Sequence, residues 1–216
     1  MRILYLSGFI VLADQITKLA VKGISVPFLG IHVDGLQLGS SRPIWGEALR
    51  LTFIENPGMA FGIDIGGKMF LSIFSIFACA GILWYLYHAR EESVTFRIAL
   101  ALILGGAVGN LIDRVFYGVI FNEGALFYGK VVDFLDADFF NIDLFGYHLT
   151  RWPVFNIADA SVTCGIFLML FAQRKKAEAE DRLSVVVDGA ETGSSPSFIT
   201  STSSGQPSSG SEAPSS

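Results

Sequence analysis

The chain is short of charge, cysteine and any familiar catalytic signature. Charged residues make up 16% of its 216 positions and hydrophobic residues 51%, with a mean hydropathy of +0.52. An ordinary soluble domain carries about 25% charge, so that class is excluded. The two cysteines, Cys79 and Cys164, both fall in apolar runs and read as small packing residues, not as a disulfide. There is no CxxC or HExxH, and His32, His88 and His148 are scattered, so no metal and no other cofactor is expected. No GxSxG occurs, and no histidine lies near a candidate serine or cysteine in sequence. The formal net charge of −5 gives no reason to expect a nucleic-acid partner.

The same scarcity leaves long apolar runs. Four, at about 3–20, 69–87, 94–116 and 152–173, come near the roughly 20 residues that cross a bilayer. Met69–Tyr87 is free of charge, whereas Asp14 and Lys18 interrupt the first run. Arg2 followed by apolar Ile3–Ala13 could open a cleaved signal peptide, but Asp14-Gln15-Ile16-Thr17-Lys18 stands where small residues should mark the cleavage. A retained helix is expected, with Asp14 and Lys18 paired at i, i+4. Arg174-Lys175-Lys176 directly follows the last run, so the positive-inside rule puts both termini in the cytoplasm.

Between the runs lie two long outer segments, about 21–67 and 117–151. Ala48–Ile54 alternates, with Leu49, Leu51 and Phe53 on one face and Arg50 and Thr52 on the other, which predicts a strand ended by Asn56-Pro57-Gly58. Phe134–Phe145, aromatic with Asp136, Asp138 and Asp143, reads as an interfacial amphipathic helix. The expected architecture is an all-α membrane protein. It has four transmembrane helices, a small extracytoplasmic β-sheet and an interfacial helix. Residues 1–174 form the membrane domain. Residues 175–216 form a cytoplasmic tail, helical over Lys175–Arg182 and too Ser/Gly/Pro-rich to fold from about Asp188.

Polar residues inside such spans are expensive and mark function by default. Asn110, Asp113 and Arg114 share one face at the end of the third run, where Gly105, Gly106 and Gly109 allow close helix approach. Asp14 with Lys18, and Asp113 with Arg114, read as structural ion pairs, although Arg114 is equally suited to supporting other carboxylates. Asp133, in Val131-Val132-Asp133-Phe134, and Asp159, seven residues into the fourth run beside Asn156, have no basic neighbour at helical spacing. Two such carboxylates meeting at the membrane surface suit acid/base hydrolysis, because close like charges split their pKa values and let the pair share one proton.

Five motifs resemble lipoprotein signal peptidases, the signal peptidase II family. In order they are Asp14-Gln15-Ile16-Thr17-Lys18, Asn56-Pro57-Gly58-Met59-Ala60-Phe61, Gly105–Arg114, Val131-Val132-Asp133-Phe134 and Phe155-Asn156-Ile157-Ala158-Asp159. The resemblance implies a four-span aspartic endopeptidase of the bacterial inner membrane. Such an enzyme removes the signal peptide of prolipoproteins just before a diacylglyceryl-modified cysteine. It also implies that Asp133 and Asp159 are catalytic. Asp14, Lys18, Asn56, Asn110, Asp113, Arg114 and Asn156 would support them or contact substrate, and small residues at Gly58 and Ala60 would let its backbone pass. The expected partners are diacylglyceryl-modified prolipoproteins and the lipid bilayer, with the chain a monomer and its site near the periplasmic face. Asn122–Lys130 looks inserted relative to the family pattern, and Asp136–Arg151 is long and acidic.

The main alternative is a proton- or ion-coupled transporter, which would spread its charges through the membrane depth instead of clustering them at one end. An intramembrane protease with a GxGD motif is excluded, since that motif is absent. A non-catalytic scaffold has no need of two unpaired carboxylates.

Overall fold

The computed structural model of the chain describes residues 2–58, 67–138, 142–144, 147–149 and 152–191. Four helices are long and apolar enough to cross a membrane: Leu4–Lys22, Met69–His88, Val94–Ile120 and Ile157–Arg182. Internal contacts divide the chain into two units, Met1–Arg174 and Lys175–Ser216, and every described candidate site residue lies in the first.

Helix α1 (Leu4–Lys22) is amphipathic in the inverted sense that a bilayer demands. Ser7, Asp14 and Lys18 share its buried face with Ile10 and Val21, while Tyr5, Phe9, Leu12 and Ile16 are exposed. Lipid solvates the apolar side chains and the polar ones must find partners inside. The Ser7 hydroxyl, for instance, donates to the Ala101 carbonyl at 2.8 Å. Gly23 ends the helix at φ 80°, its N–H returning to the Leu19 carbonyl.

Two short hairpin strands, β1 (Ile24–Val26) and β2 (Ile31–Val33), follow, and then β3 (Ser41–Trp45) and β4 (Leu49–Asn56). The alternating pattern predicted over Ala48–Ile54 is thus β4, with Phe53 buried as expected. Helix α2 (Gly67–His88) leads to α3 (Val94–Ile112), whose Ser93 cap accepts from the Phe96 N–H. That span then passes through a π-helical turn, Asp113–Tyr117, into the short α4 (Gly118–Ile120). The apolar run 94–116 is therefore four residues longer as a helix. π-turns are rare and recur at functional sites.

Strand β5 (Val131–Ala137) joins β4 to make the antiparallel order β3-β4-β5. The expected interfacial helix over Phe134–Phe145 is not formed among the described residues: Phe134–Ala137 belongs to β5, and Ile142–Leu144 is strand β6, paired with β7 (Tyr147–Leu149). The reason is tertiary. Strand β5 is bonded to β4 on one side and to Phe155 on the other, through Leu135 N–H to Phe155 carbonyl at 2.7 Å and the reverse bond at 3.0 Å. Backbone partners on both edges outweigh a local preference for helix.

The last helix, α5 (Ile157–Glu191), also corrects the expected span. Trp152–Asn156 is not helical, so the helix starts five residues later than the apolar run, and Asp159 sits in its first turn instead of seven residues deep. At the other end the helix includes Asp188–Glu191, which composition alone places in an unstructured tail.

Glycines set the spacing of the bundle. A Cβ added at Gly105 would meet Ile10 Cβ at 3.0 Å, one at Gly106 would collide with the Ala158 carbonyl, and one at Gly109 would reach the Asp14 carboxylate at 2.7 Å. Helix α3 thus lies close against α1 and α5, with no room at these positions for a further side-chain atom. Gly106→Ala should destabilise the protein by about 1–3 kcal/mol through overpacking and lower its thermal midpoint in detergent. Gly81→Ala in α2, with open space around it, should leave the midpoint unchanged or raise it. Equal midpoints for the two variants would contradict this packing.

Candidate active site

The C-terminal ends of α1 and α3, the N-terminus of α5 and strand β5 meet at one end of the bundle. At their centre is Lys18, whose ammonium lies 2.8 Å from Asp14 and 2.7 Å from Asp113, with all three side chains fully buried. Asp14 pairs with Lys18 as the spacing predicts. Asp113 pairs with Lys18 as well, so the expected Asp113–Arg114 pair is replaced by one between helices.

Each carboxylate of this triad also holds backbone. Asp14 accepts the Ala158 N–H at 2.9 Å, in the first turn of α5, and Asp113 accepts the Val132 N–H at 3.2 Å, in β5. Gln15 closes the cluster by donating to Asp113 at 2.9 Å and to the Gly109 carbonyl at 3.1 Å while accepting from the Tyr117 hydroxyl at 3.0 Å. Neither Gln15 nor Tyr117 was singled out from sequence. Gln15 was detectable as a third polar residue in an apolar helix, whereas Tyr117 depends on the π-turn to reach it.

From Lys18 the network passes through two asparagines. An ammonium only donates, so the Lys18 bond of 2.9 Å identifies the nearer Asn110 atom as its oxygen. The Asn110 Nδ2 must then face the other way, and it donates to Asp159 at 2.7 Å. Asn156 is fixed in the same manner. Its oxygen accepts the Asp159 N–H at 2.9 Å while Asp159 accepts the Asn156 N–H at 3.3 Å, a capping box that starts α5. That leaves Asn156 Nδ2 to donate to Asp133 at 2.6 Å and to the Asn110 oxygen at 3.1 Å. The two aspartates without basic neighbours are therefore joined as Asp133–Asn156–Asn110–Asp159, with each carboxylate accepting an amide N–H.

Asn56, at the end of β4, also hydrogen-bonds Asp133, and its oxygen receives the Gly58 N–H at 2.9 Å. Gly58 sits at φ 97°, a region that favours glycine. A bulge puts three residue steps on β4 (Leu51 to Ile54) against two on β5 (Leu135 to Asp133), as bulges beside sites often do to re-aim a side chain. The Arg114 guanidinium interacts electrostatically with Asp113, Asp159 and Asp133, and its buried Nε has no hydrogen-bond partner among the described residues. Of the candidate site residues named from sequence, only Ala60 lies outside the described residues. All the others converge here.

Asp133 is 4% exposed. Burial first, and repulsion from Asp159 second, push its carboxyl up to about 7 from the usual 3.8, against the opposing pull of Asn156, Lys18 and Asn56. The folded state therefore binds this proton more tightly than the unfolded chain does. Ionising Asp133 costs stability that is intact near pH 4 and lost as pH rises to about 7, of the order of a few kcal/mol. Asp133→Asn should flatten that part of the stability–pH curve in detergent; a variant with the wild-type slope would remove Asp133 as its source.

These features define a polytopic membrane protein with two carboxylates, Asp133 and Asp159, linked through Asn156 and Asn110 at one end of its helix bundle. Residues 6–174 match the family model described as signal peptidase (SPase) II. The chain is 36% identical over 166 residues to the lipoprotein signal peptidase of Chlorobaculum tepidum, covering 76% of this chain and 88% of that one. It is 33% identical over 210 residues to that of Porphyromonas gingivalis, covering 85% and 84%. A bacterial membrane enzyme solved in meso at 2.3 Å superposes with a TM-score of 0.59 at 29% identity, over 82% of this chain and 89% of that one. The chain belongs to the signal peptidase II family, and it is a bacterial membrane peptidase by that membership. The transporter reading finds no support in these relatives.

Proposed function

We propose that the chain is an aspartic endopeptidase that removes signal peptides from prolipoproteins just before the diacylglyceryl-modified cysteine. The observation that carries this reading is the pair Asp133 and Asp159, tied through Asn156 and Asn110 and fed by oriented amide donors from both sides. One shared proton suffices for the chemistry. The ionised member takes a proton from a water, which attacks the scissile carbonyl, and the protonated member donates to the carbonyl oxygen. As the tetrahedral intermediate collapses, a proton passes to the departing amine and the pair returns to its starting state. Burial draws the resting proton toward Asp133. Arg114 balances the remaining negative charge.

Lipid supplies affinity in this reading. Val108, Leu111, Ile112 and Ile157 are half-buried, and in this reading their exposed parts offer apolar surface to the acyl chains, each buried methylene of which contributes about 0.8 kcal/mol. The enzyme acts as a monomer in the inner membrane, with both termini cytoplasmic and the site near the periplasmic face. The basic run Arg174-Lys175-Lys176 supports that orientation.

Purified protein should cleave a diacylated prolipoprotein. Asp133→Asn and Asp159→Asn should each lose activity by orders of magnitude while remaining folded. The same prolipoprotein before diacylglyceryl transfer should be cleaved poorly. Appreciable turnover by either variant would remove the pair from the mechanism, and equal rates on both substrates would remove the lipid requirement.

A further inference from the structure

A second charged cluster lies outside the network just described. Glu55, in β4, is held by Lys22 at the end of α1 and by Lys130 just ahead of β5, the latter at 2.5 Å. Glu123 meets the same two lysines at 2.5 and 3.6 Å. The Lys22 and Glu55 side chains are 7% and 8% exposed. Two of the four groups, Glu123 and Lys130, come from the segment that looks inserted relative to the family pattern or its immediate approach.

That segment is firmly built in. Just ahead of it, Lys22 lies over the Phe121 ring at 4.5 Å. The Phe127 carbonyl accepts from the Ser72 hydroxyl at 3.0 Å, and the Phe127 and Gly129 N–H groups return to the Val115 and Arg114 carbonyls. Phe127 adopts φ 71°, which a bulky residue holds only where its surroundings impose it.

Pairing of Ile54 with Asp133 and of Glu55 with Val132 puts Asn56 on the Asp133 face of the sheet. It puts Glu55 on the opposite face with Lys130, since side chains alternate along a strand. We infer that Glu55 is a positioning residue for the reaction: clamped by Lys22 and Lys130, it fixes the end of β4 so that the Asn56 amide reaches Asp133. Burial works against its charge, but the two lysines outweigh burial and hold Glu55 below the usual carboxylate range, while Glu55 holds Lys130 above its own. The clamp is present above the ordinary glutamate pKa and is lost as pH falls, so it is closed at neutral pH.

This inference rests on Asp133 being catalytic, and its test separates the two. Asp133 is faced by Asp159 from α5, by Asn156 at its N-cap, by Lys18 from α1, by Arg114 from the π-turn and by Asn56 from β4. Loosening Asn56 removes a bond that favours the ionised form, so the alkaline limb of kcat must move to higher pH. In the full-length enzyme, Glu55→Gln should lower kcat roughly tenfold at nearly constant KM, as a small misplacement does. The alkaline limb should rise by about half a pH unit. Lys130→Met, at a half-exposed position, should shift the limb in the same direction by less, and it decides the matter if Glu55→Gln does not fold. An unshifted limb in the folded variant, at whatever rate, overturns the positioning role. Activity in Asp133→Asn would instead overturn the catalytic reading beneath it.

Discussion

The ion triad of Lys18 with Asp14 and Asp113 is the constraint on which the rest depends. Three fully buried charges are tolerable only because each is paired, and removing one partner of such a group typically costs about 3–5 kcal/mol. The triad also does what an apolar core cannot. Asp14 ties α1 to the first turn of α5, Asp113 ties the end of α3 to β5, and Lys18 sets which end of the Asn110 amide faces Asp159. The orientation of a side chain that touches the proposed catalytic pair is thus decided by a cation that does not touch it.

The same end of the molecule is held by backbone geometry. Phe155 bonds to β5 immediately before Asn156 caps α5, so Asp133 on the strand and Asp159 on the helix are separated by one covalent turn and a pair of backbone bonds. Val21, Phe53, Tyr117, Val132 and Phe134 form an apolar cluster that packs α1, β4, the π-turn and β5 together at this end of the bundle. The glycines of α3 bring α1 and α5 close enough for these short side chains to meet. Chemistry and packing are therefore not separable here: a methyl group at Gly109 would meet the Asp14 carboxylate directly.

Much of this was legible in the sequence because polar residues in a bilayer-spanning run have few reasons to exist. Asp14, Lys18, Asn110, Asp113 and Asn156 stood out on that ground, and they meet in space. The partners were less legible. Asp113 was assigned to Arg114 by spacing along one helix, but Lys18 of another helix takes it. The capping box of Asn156 and Asp159 was written at i, i+3 after Pro153, yet the apolar run masked the helix start. Phe134–Phe145 looked helical because aromatic and acidic residues alternate irregularly there, and only the edges offered by β4 and Phe155 make Phe134–Ala137 a strand. Glu55, Lys22, Glu123 and Lys130 carry ordinary surface charges in sequence, and nothing but the fold assembles them.

The most direct measurement is infrared titration of buried carboxyl groups in the detergent-solubilised enzyme. A protonated carboxyl that ionises near pH 7 should be visible in the wild type and absent in Asp133→Asn. In Lys18→Met it should move to higher pH, because the ammonium favours the ionised form. If no carboxyl titrates near neutrality, or if the band survives in Asp133→Asn, Asp133 and Asp159 do not share a proton as described and the account of the site fails.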